Sequence, residues 1–225
     1  MKKYIVLLTF LLGSFAYGQG FLERNVGDFH EVKVYDLIAV NLIKSTESKV
    51  LIKGPHANDI KLVNKNGVLK IRMMLEKKFQ GENTFVEVYY RDLEVIDGNE
   101  GARITANELV SQTALTLKVQ EGAEIRLGLE VDYLSSKAVT GGIIEANGLV
   151  EVHDVNMNTG AILRAEELKT SITNIKMTAG GDAAIFANKR VDINVRAGGE
   201  VSVYGNPKEV IKKQFAGGRV LFRSL

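Results

Sequence analysis

The sequence predicts an all-β protein: a β-solenoid of about 19-residue repeats over residues 93–225, preceded by an antiparallel strand-rich segment over 19–92. Three observations predict it. A step of the form Gly-[Gly/Ala]-x-[Ile/Leu/Val] recurs at near-constant spacing. Val, Ile, Leu and Thr fall in short alternating runs with no 3.6-residue period. Proline is almost absent, at Pro55 and Pro207 only, whereas glycine reaches 22.

Residues 1–18 have the pattern of a secretory signal. Lys2 and Lys3 precede an apolar run from Tyr4 to Leu12, and Ala16 and Gly18 suit the −3 and −1 positions before Gln19. The run is short of the roughly 20 residues that span a bilayer, so cleavage is expected rather than an uncleaved anchor. The chain has no cysteine, hence no disulfide framework, no thiol nucleophile and no lipid-anchor thiol after the signal. Removing Lys2 and Lys3 from 29 basic residues leaves 27, against 27 acids. That balance gives no electrostatic footprint for nucleic acid.

Between residues 19 and 92, His30–Tyr35, Ile38–Lys44 and Lys49–Lys53 alternate apolar and polar side chains. Ile60–Val63 and Val68–Met74 flank Asn66-Gly67, a dipeptide suited to the two φ > 0 positions of a type I′ hairpin turn. Lys77–Asn83 reads as a loop and Phe85–Tyr90 as another strand.

From residue 93 the chain repeats. The step appears as Gly101-Ala-Arg-Ile104, Gly122-Ala-Glu-Ile125, Gly141-Gly-Ile-Ile144, Gly160-Ala-Ile-Leu163, Gly198-Gly-Glu-Val201 and Gly217-Gly-Arg-Val220. A variant copy, Asp182-Ala-Ala-Ile185, follows Gly180-Gly181. The apolar anchors are then 21, 19, 19, 22, 16 and 19 residues apart. Two residues on come Ala106, Leu127, Ala146, Ala165, Ala187, Val203 and Phe222, which a strand would point to the same inner face. Shorter apolar pairs, Leu129/Val131 and Leu149/Val152, lie between the longer runs. Each repeat buries its side chains only by stacking on neighbours. Seven coils at ~4.8 Å would make a rod roughly 34 Å long, one end covered by the N-terminal strands. One outward ladder is predicted: Thr105, Arg126, Glu145, Arg164, Phe186, Ser202 and Leu221, with Glu145 between two arginines.

The repeat, together with Val26, Phe29, Val32 and Val34 and with Val86, Val88, Tyr90, Leu93, Ile96 and Glu100-Gly101, resembles the head-GIN-domain family of auto-transporter adhesins. The likeness runs from about Val26 to Val220. It implies an exported bacterial protein of the Bacteroidetes type, in the cell envelope or secreted, with a right-handed parallel β-helix. It carries over no catalytic residues. The missing cysteine departs from the lipoprotein form common among such proteins.

Candidate chemistry is sparse. Asp154, Asn156 and Asn158 resemble the start of a calcium loop, but Thr159 and Ala165 occupy the sixth and twelfth positions, where Gly and Glu are needed. In a strand these three would sit about 6.8 Å apart on an outer face, too spread for one ion. His30, His56 and His153 form no zinc motif. No cofactor is expected. Asp132, Glu145, Asp154, Glu166 and Asp192 read as scattered acids, which argues against a polysaccharide lyase or hydrolase. Tyr133, Phe186 and Tyr204 could stack on sugars, with an edge or interface contact as the simpler reading. Lys208, Lys212, Lys213, Arg219 and Arg223 read as a solvated cap on the last coils. The expected function is a non-enzymatic binding or adhesion module for a surface glycan or envelope component, the alternative being a self-associating scaffold.

Overall fold

The computed structural model describes residues 21–224, so the signal segment expected at 1–18 lies outside the described residues. In chain order the strands are β1 (Leu22–Asn25), β2 (Glu31–Val34), β3 (Ala39–Lys44), β4 (Lys49–Lys53), β5 (Ile60–Lys65), β6 (Val68–Met73) and β7 (Phe85–Tyr90). There follow β8 (Val95–Gly98), β9 (Arg103–Ala106), β10 (Val110–Val119), β11 (Glu124–Ala138), β12 (Ile143–Asn158) and β13 (Ala161–Arg164). The last six are β14 (Leu168–Thr178), β15 (Gly181–Phe186), β16 (Arg190–Val195), β17 (Glu200–Tyr204), β18 (Glu209–Gln214) and β19 (Arg219–Phe222).

The all-β class and the solenoid are both present. Each coil has three sides. Side A stacks β9, β11, β12, β13, β15, β17 and β19 in parallel. Side C stacks β8, β10, β11, β12, β14, β16 and β18. Side B is a short run between them, where Val110, Leu129, Gly148 and Leu168 align. Burial follows the pleat: Ile125 and Leu127 on side A, Leu129 and Val131 on side B, and Leu134, Ser136 and Ala138 on side C all point inward.

The corner from side C to side A explains the glycine step. Glu100-Gly101, Glu121-Gly122, Thr140-Gly141, Thr159-Gly160 and Ala179-Gly180 each place two consecutive residues at φ between 50° and 77°. Nothing lies within 4 Å of where a Cβ on Gly122, Gly141, Gly160 or Gly180 would stand. Backbone conformation, not space, therefore selects glycine there. The next residue is small for the opposite reason. A Cβ on Gly142 would come 2.8 Å from Val119, and the equivalent Ala102, Ala123 and Ala161 are fully buried.

The structure corrects or completes the sequence register in three places. Leu163 pairs with Ala183, and Ala183 with Val201, so the variant copy is anchored by Ala183 and not Ile185. Its corner is Ala179-Gly180, and the intervals become 21, 19, 19, 20, 18 and 19. On side B of the β12 coil the inward residue is Val150, because Gly148 aligns with Leu129 and Val150 with Val131; of the apolar pair Leu149/Val152, Leu149 points out and is 57% exposed. At the last coil Phe222 is exposed, since no further strand covers it.

The N-terminal segment is mixed. The antiparallel expectation holds for β1–β4–β7 and for the hairpin β5–β6, whose turn has φ 53° at Asn66 and 74° at Gly67. The strands β2 and β3 instead pair in parallel with β8 and β9. They form one more coil, whose corner is Asp36-Leu37, at φ 60° and 64°. Asp36 is buried there and accepts the backbone N–H groups of Met73 (3.0 Å) and Phe79 (3.3 Å). Beyond this coil β7, β4 and β1 continue side A, and β6 and β5 continue side C, so antiparallel strands close that end.

Candidate functional site

The outer surface of side C is a flat sheet face whose columns run along the stack. Alternation sends Leu134, His153, Thr173 and Val191 inward, and Ser136, Val155, Ile175 and Ile193 after them. The residues between them face out. One outward column reads Thr116, Ser135, Asp154, Asn174, Asp192. The next reads Lys118, Lys137, Asn156, Lys176, Asn194, Lys213.

A shallow trough of about 450 Å³ lies over these columns, lined among others by Tyr133, Lys137, Asp154, Asn156, Asn174 and Lys176. Tyr133 stands at its edge, where side B turns into side C, and donates its phenol O–H to Asp154 Oδ2 at 2.6 Å. That hydrogen bond, with some burial and the charge of Asp154, raises the Tyr133 pKa. The amide of Asn174 donates to the other Asp154 oxygen at 2.7 Å. Asp192 lies 3.8 Å from Arg190, which also approaches Glu209 at 3.7 Å.

Beneath the face, His153 is buried in the core, its Nε2 2.9 Å from Ser136 Oγ. Burial lowers its pKa to about 4, against a smaller upward pull from Asp154. His153 is thus a neutral core residue at physiological pH. His56 sits 3.1 Å from Asp59 in the N-terminal segment, far from this face. Among the described residues no group of three or more His, Asp or Glu side chains is placed to hold a metal ion.

The other sequence candidates fall in different places. Asp154, Asn156 and Asn158 share one strand face, and their neighbours Val155 and Met157 point inward as the pleat requires. Glu145 stands between Arg126 (3.3 Å) and Arg164 (3.9 Å) on side A, as expected. Phe186 leaves that ladder, because Arg164 aligns with Ala184; Phe186 instead stacks against Tyr204 in register and beneath the Lys169 ammonium, 4.3 Å from its ring centre. In the basic cluster Arg219 and Arg223 clasp Glu200 at 2.7 and 4.0 Å.

The acids are less scattered than the sequence implies. Asp154 and Asp192 share a column two coils apart. Their side chains leave one sheet face side by side, so they do not oppose each other across a sugar as a general acid and its partner must. A separate groove of about 1030 Å³ lies on side A of the N-terminal coils, lined by Asn41, Pro55, Phe85, Arg103 and Thr105 among others. No sequence signal marked it, because its walls come from β3, β7 and β9, which together span more than 60 residues of sequence.

A family model described as "Putative auto-transporter adhesin, head GIN domain" matches residues 28–207. This chain belongs to that family. Most residues that carried the resemblance are core residues of the head GIN domain: Phe29, Val32, Val34, Val86, Val88, Tyr90, Leu93 and Ile96 are buried, whereas Val26 is partly buried and Glu100-Gly101 forms a corner. Solved structures share the fold. A putative adhesin of Bacteroides fragilis is 15% identical, with 90% of this chain and 96% of that one covered and a TM-score of 0.83. A putative adhesin of Parabacteroides distasonis is 20% identical, covering 91% and 96%, with a TM-score of 0.73. A putative lipid binding protein of the same species is 15% identical, covering 91% and 96%, with a TM-score of 0.66. No match is found among the curated proteins.

Proposed function

We propose that this head GIN domain is an exported, non-enzymatic adhesion module that holds a surface glycan against the outer face of side C. The observation that carries the reading is the trough on that face. Hydroxyl, carboxamide and ammonium groups from successive coils stand there at fixed spacing on a rigid sheet, with Tyr133 at the edge. Sugars are bound by such convergent polar groups together with an aromatic surface. The family description and the adhesin relatives support the same class of role. Export is supported by the family and by the signal-like pattern of residues 1–18. Among the described residues no helix is long and apolar enough to cross a membrane.

The test is a glycan array probed with the secreted chain, beside assays for hydrolysis and elimination on the glycans that bind. Retention without turnover is the expected result. A blank array, or product formation, would sink the reading.

The scaffold alternative would use the end of the rod, where Phe215 and Phe222 are exposed. Charged groups surround that end: Lys212 occupies an inward position opposite Ile193, with Lys213 beside it. Charges so placed discourage edge pairing. A monomer in light scattering up to high concentration is therefore expected.

A further inference from the structure

We infer that the ligand of side C is a linear anionic polysaccharide with one carboxylate on every second sugar, lying along the stack across Lys137, Lys176 and Lys213. This rests on the glycan-binding reading above and narrows it.

The register places Lys137, Asn156, Lys176, Asn194 and Lys213 in one outward column, one residue per coil. Ammonium and carboxamide therefore alternate at one strand spacing, ~4.8 Å, and lysines recur at about 9.6 Å. An extended pyranose chain advances by close to one strand spacing per sugar. An acidic sugar over each lysine then leaves a neutral sugar over each asparagine. The ammonium pairs with a carboxylate, and the amide can donate to and accept from hydroxyls. Lys118, one coil below Lys137, lies outside the alternation and next to Asp97, which already pairs with Lys33 at 3.1 Å.

Two acids stand in the adjoining column. Asp154 keeps its charge but has both oxygens occupied by Tyr133 and Asn174, and Asp192 lies beside Arg190, so the three lysines outnumber the acids that face them. By contrast, among the described residues no ion pair within 4.0 Å uses Lys137, Lys176 or Lys213. Their separation is about one Debye length in physiological salt, so the column tolerates its own charge while summing its attraction for a polyanion. Lys137, Lys176 and Lys213 are all exposed. The trough reaches from Lys137 through Asn156 and Lys176 to Asn194 along the same line.

The test is calorimetric titration of the secreted chain with three polymers of equal length. One is hyaluronan, whose uronic acid alternates with a neutral amino sugar; the second is its carboxyl-reduced form; the third is polygalacturonate, acidic at every sugar. Hyaluronan is expected to bind, more weakly as salt rises, and the reduced polymer at least about tenfold more weakly, the compounded effect of three exposed ion pairs. The triple variant K137Q/K176Q/K213Q should lose the same factor with an unchanged melting temperature, and K137R/K176R/K213R should retain binding. Equal binding of the reduced polymer, or an undiminished Lys→Gln variant, overturns the inference. Equal binding of polygalacturonate overturns the two-sugar register. Binding of neutral glycans alone on the array overturns the inference and leaves the adhesion reading intact, and binding of no glycan removes both.

Discussion

Acidification should destabilise this protein through one residue, His153. Its imidazole is 1% exposed, stacked between Leu134 below and Thr173 above, with Ser136 as its hydrogen-bond partner. In the unfolded chain it titrates near 6.5, and in the folded protein at about 4 because burial disfavours the cation. The unfolded state thus binds more protons between these values, so stability falls as pH drops through 6.5 and levels off below 4. A gap of two to three pKa units at 1.36 kcal/mol each gives a loss of about 3 kcal/mol by pH 4. Carboxylates also titrate in this window, so the comparison must be made against a variant. The double substitution H153L/S136A removes the base without stranding the Ser136 hydroxyl, and Leu continues the column begun by Leu134. Urea unfolding followed by circular dichroism at pH 7.5 and pH 4 measures both proteins. The variant should lose about 3 kcal/mol less than the parent between the two pH values. An equal loss in both would show that His153 is not the responsible group.

Two further outcomes test the stack itself. Gly148, at φ 111°, has the Leu129 carbonyl oxygen where a Cβ would stand, only 2.1 Å away, whereas nothing lies near Gly141. Gly148→Ala should therefore cost more than about 3 kcal/mol, and Gly141→Ala only about 1–2, measured as urea midpoints. On side A, Glu145→Lys sets a third cation between Arg126 and Arg164. It should lower stability by about 1 kcal/mol at low salt and much less in 1 M salt.

How much was legible in the sequence follows from which forces leave a local mark. The glycine corners were readable because two consecutive left-handed residues demand glycine at one position. The same rule failed where another group meets the demand: Asp36-Leu37 forms that corner without glycine, its carboxylate tied down by Met73 and Phe79, and the coil of β2 and β3 went unseen. The variant copy was misplaced by two residues because pattern-matching favours a large anchor, Ile185. The backbone instead fixes the anchor three residues after Gly180, even though that residue is only Ala183. Side B holds too few residues for a period, so Leu149 and Val150 could not be told apart. The face of the candidate site was the least legible part. Lys137, Lys176 and Lys213 are 39 and 37 residues apart, and only inter-coil register makes them neighbours.

That register has a source that can be located. From the last inward residue of side C to the first of side A the chain always takes six steps: Val119 to Ile125, Ala138 to Ile144, Met157 to Leu163, Met177 to Ala183, Val195 to Val201. From side A back to side C the path varies. Arg126 to Tyr133 takes seven, Arg164 to Ile172 eight, and Ala184 to Arg190 six. All the variation in coil length is therefore absorbed on side B and its corners, and the side C–corner–side A unit is rigid in length. A glycine inserted between Glu166 and Glu167, in the turn that already holds the extra residue, should cost no more than about 1 kcal/mol. The same insertion between Thr140 and Gly141 slips the pleat by one residue. It either turns Ile144 and Ala146 outward or breaks the left-handed pair, and should cost more than about 3 kcal/mol. Urea midpoints of the two insertions decide the matter. Equal costs would mean that the corner does not set the register, and the lysine column would then lose its claim to fixed spacing. The predicted difference would tie the spacing of the outer face to a backbone conformation on the opposite side of the coil from where length varies.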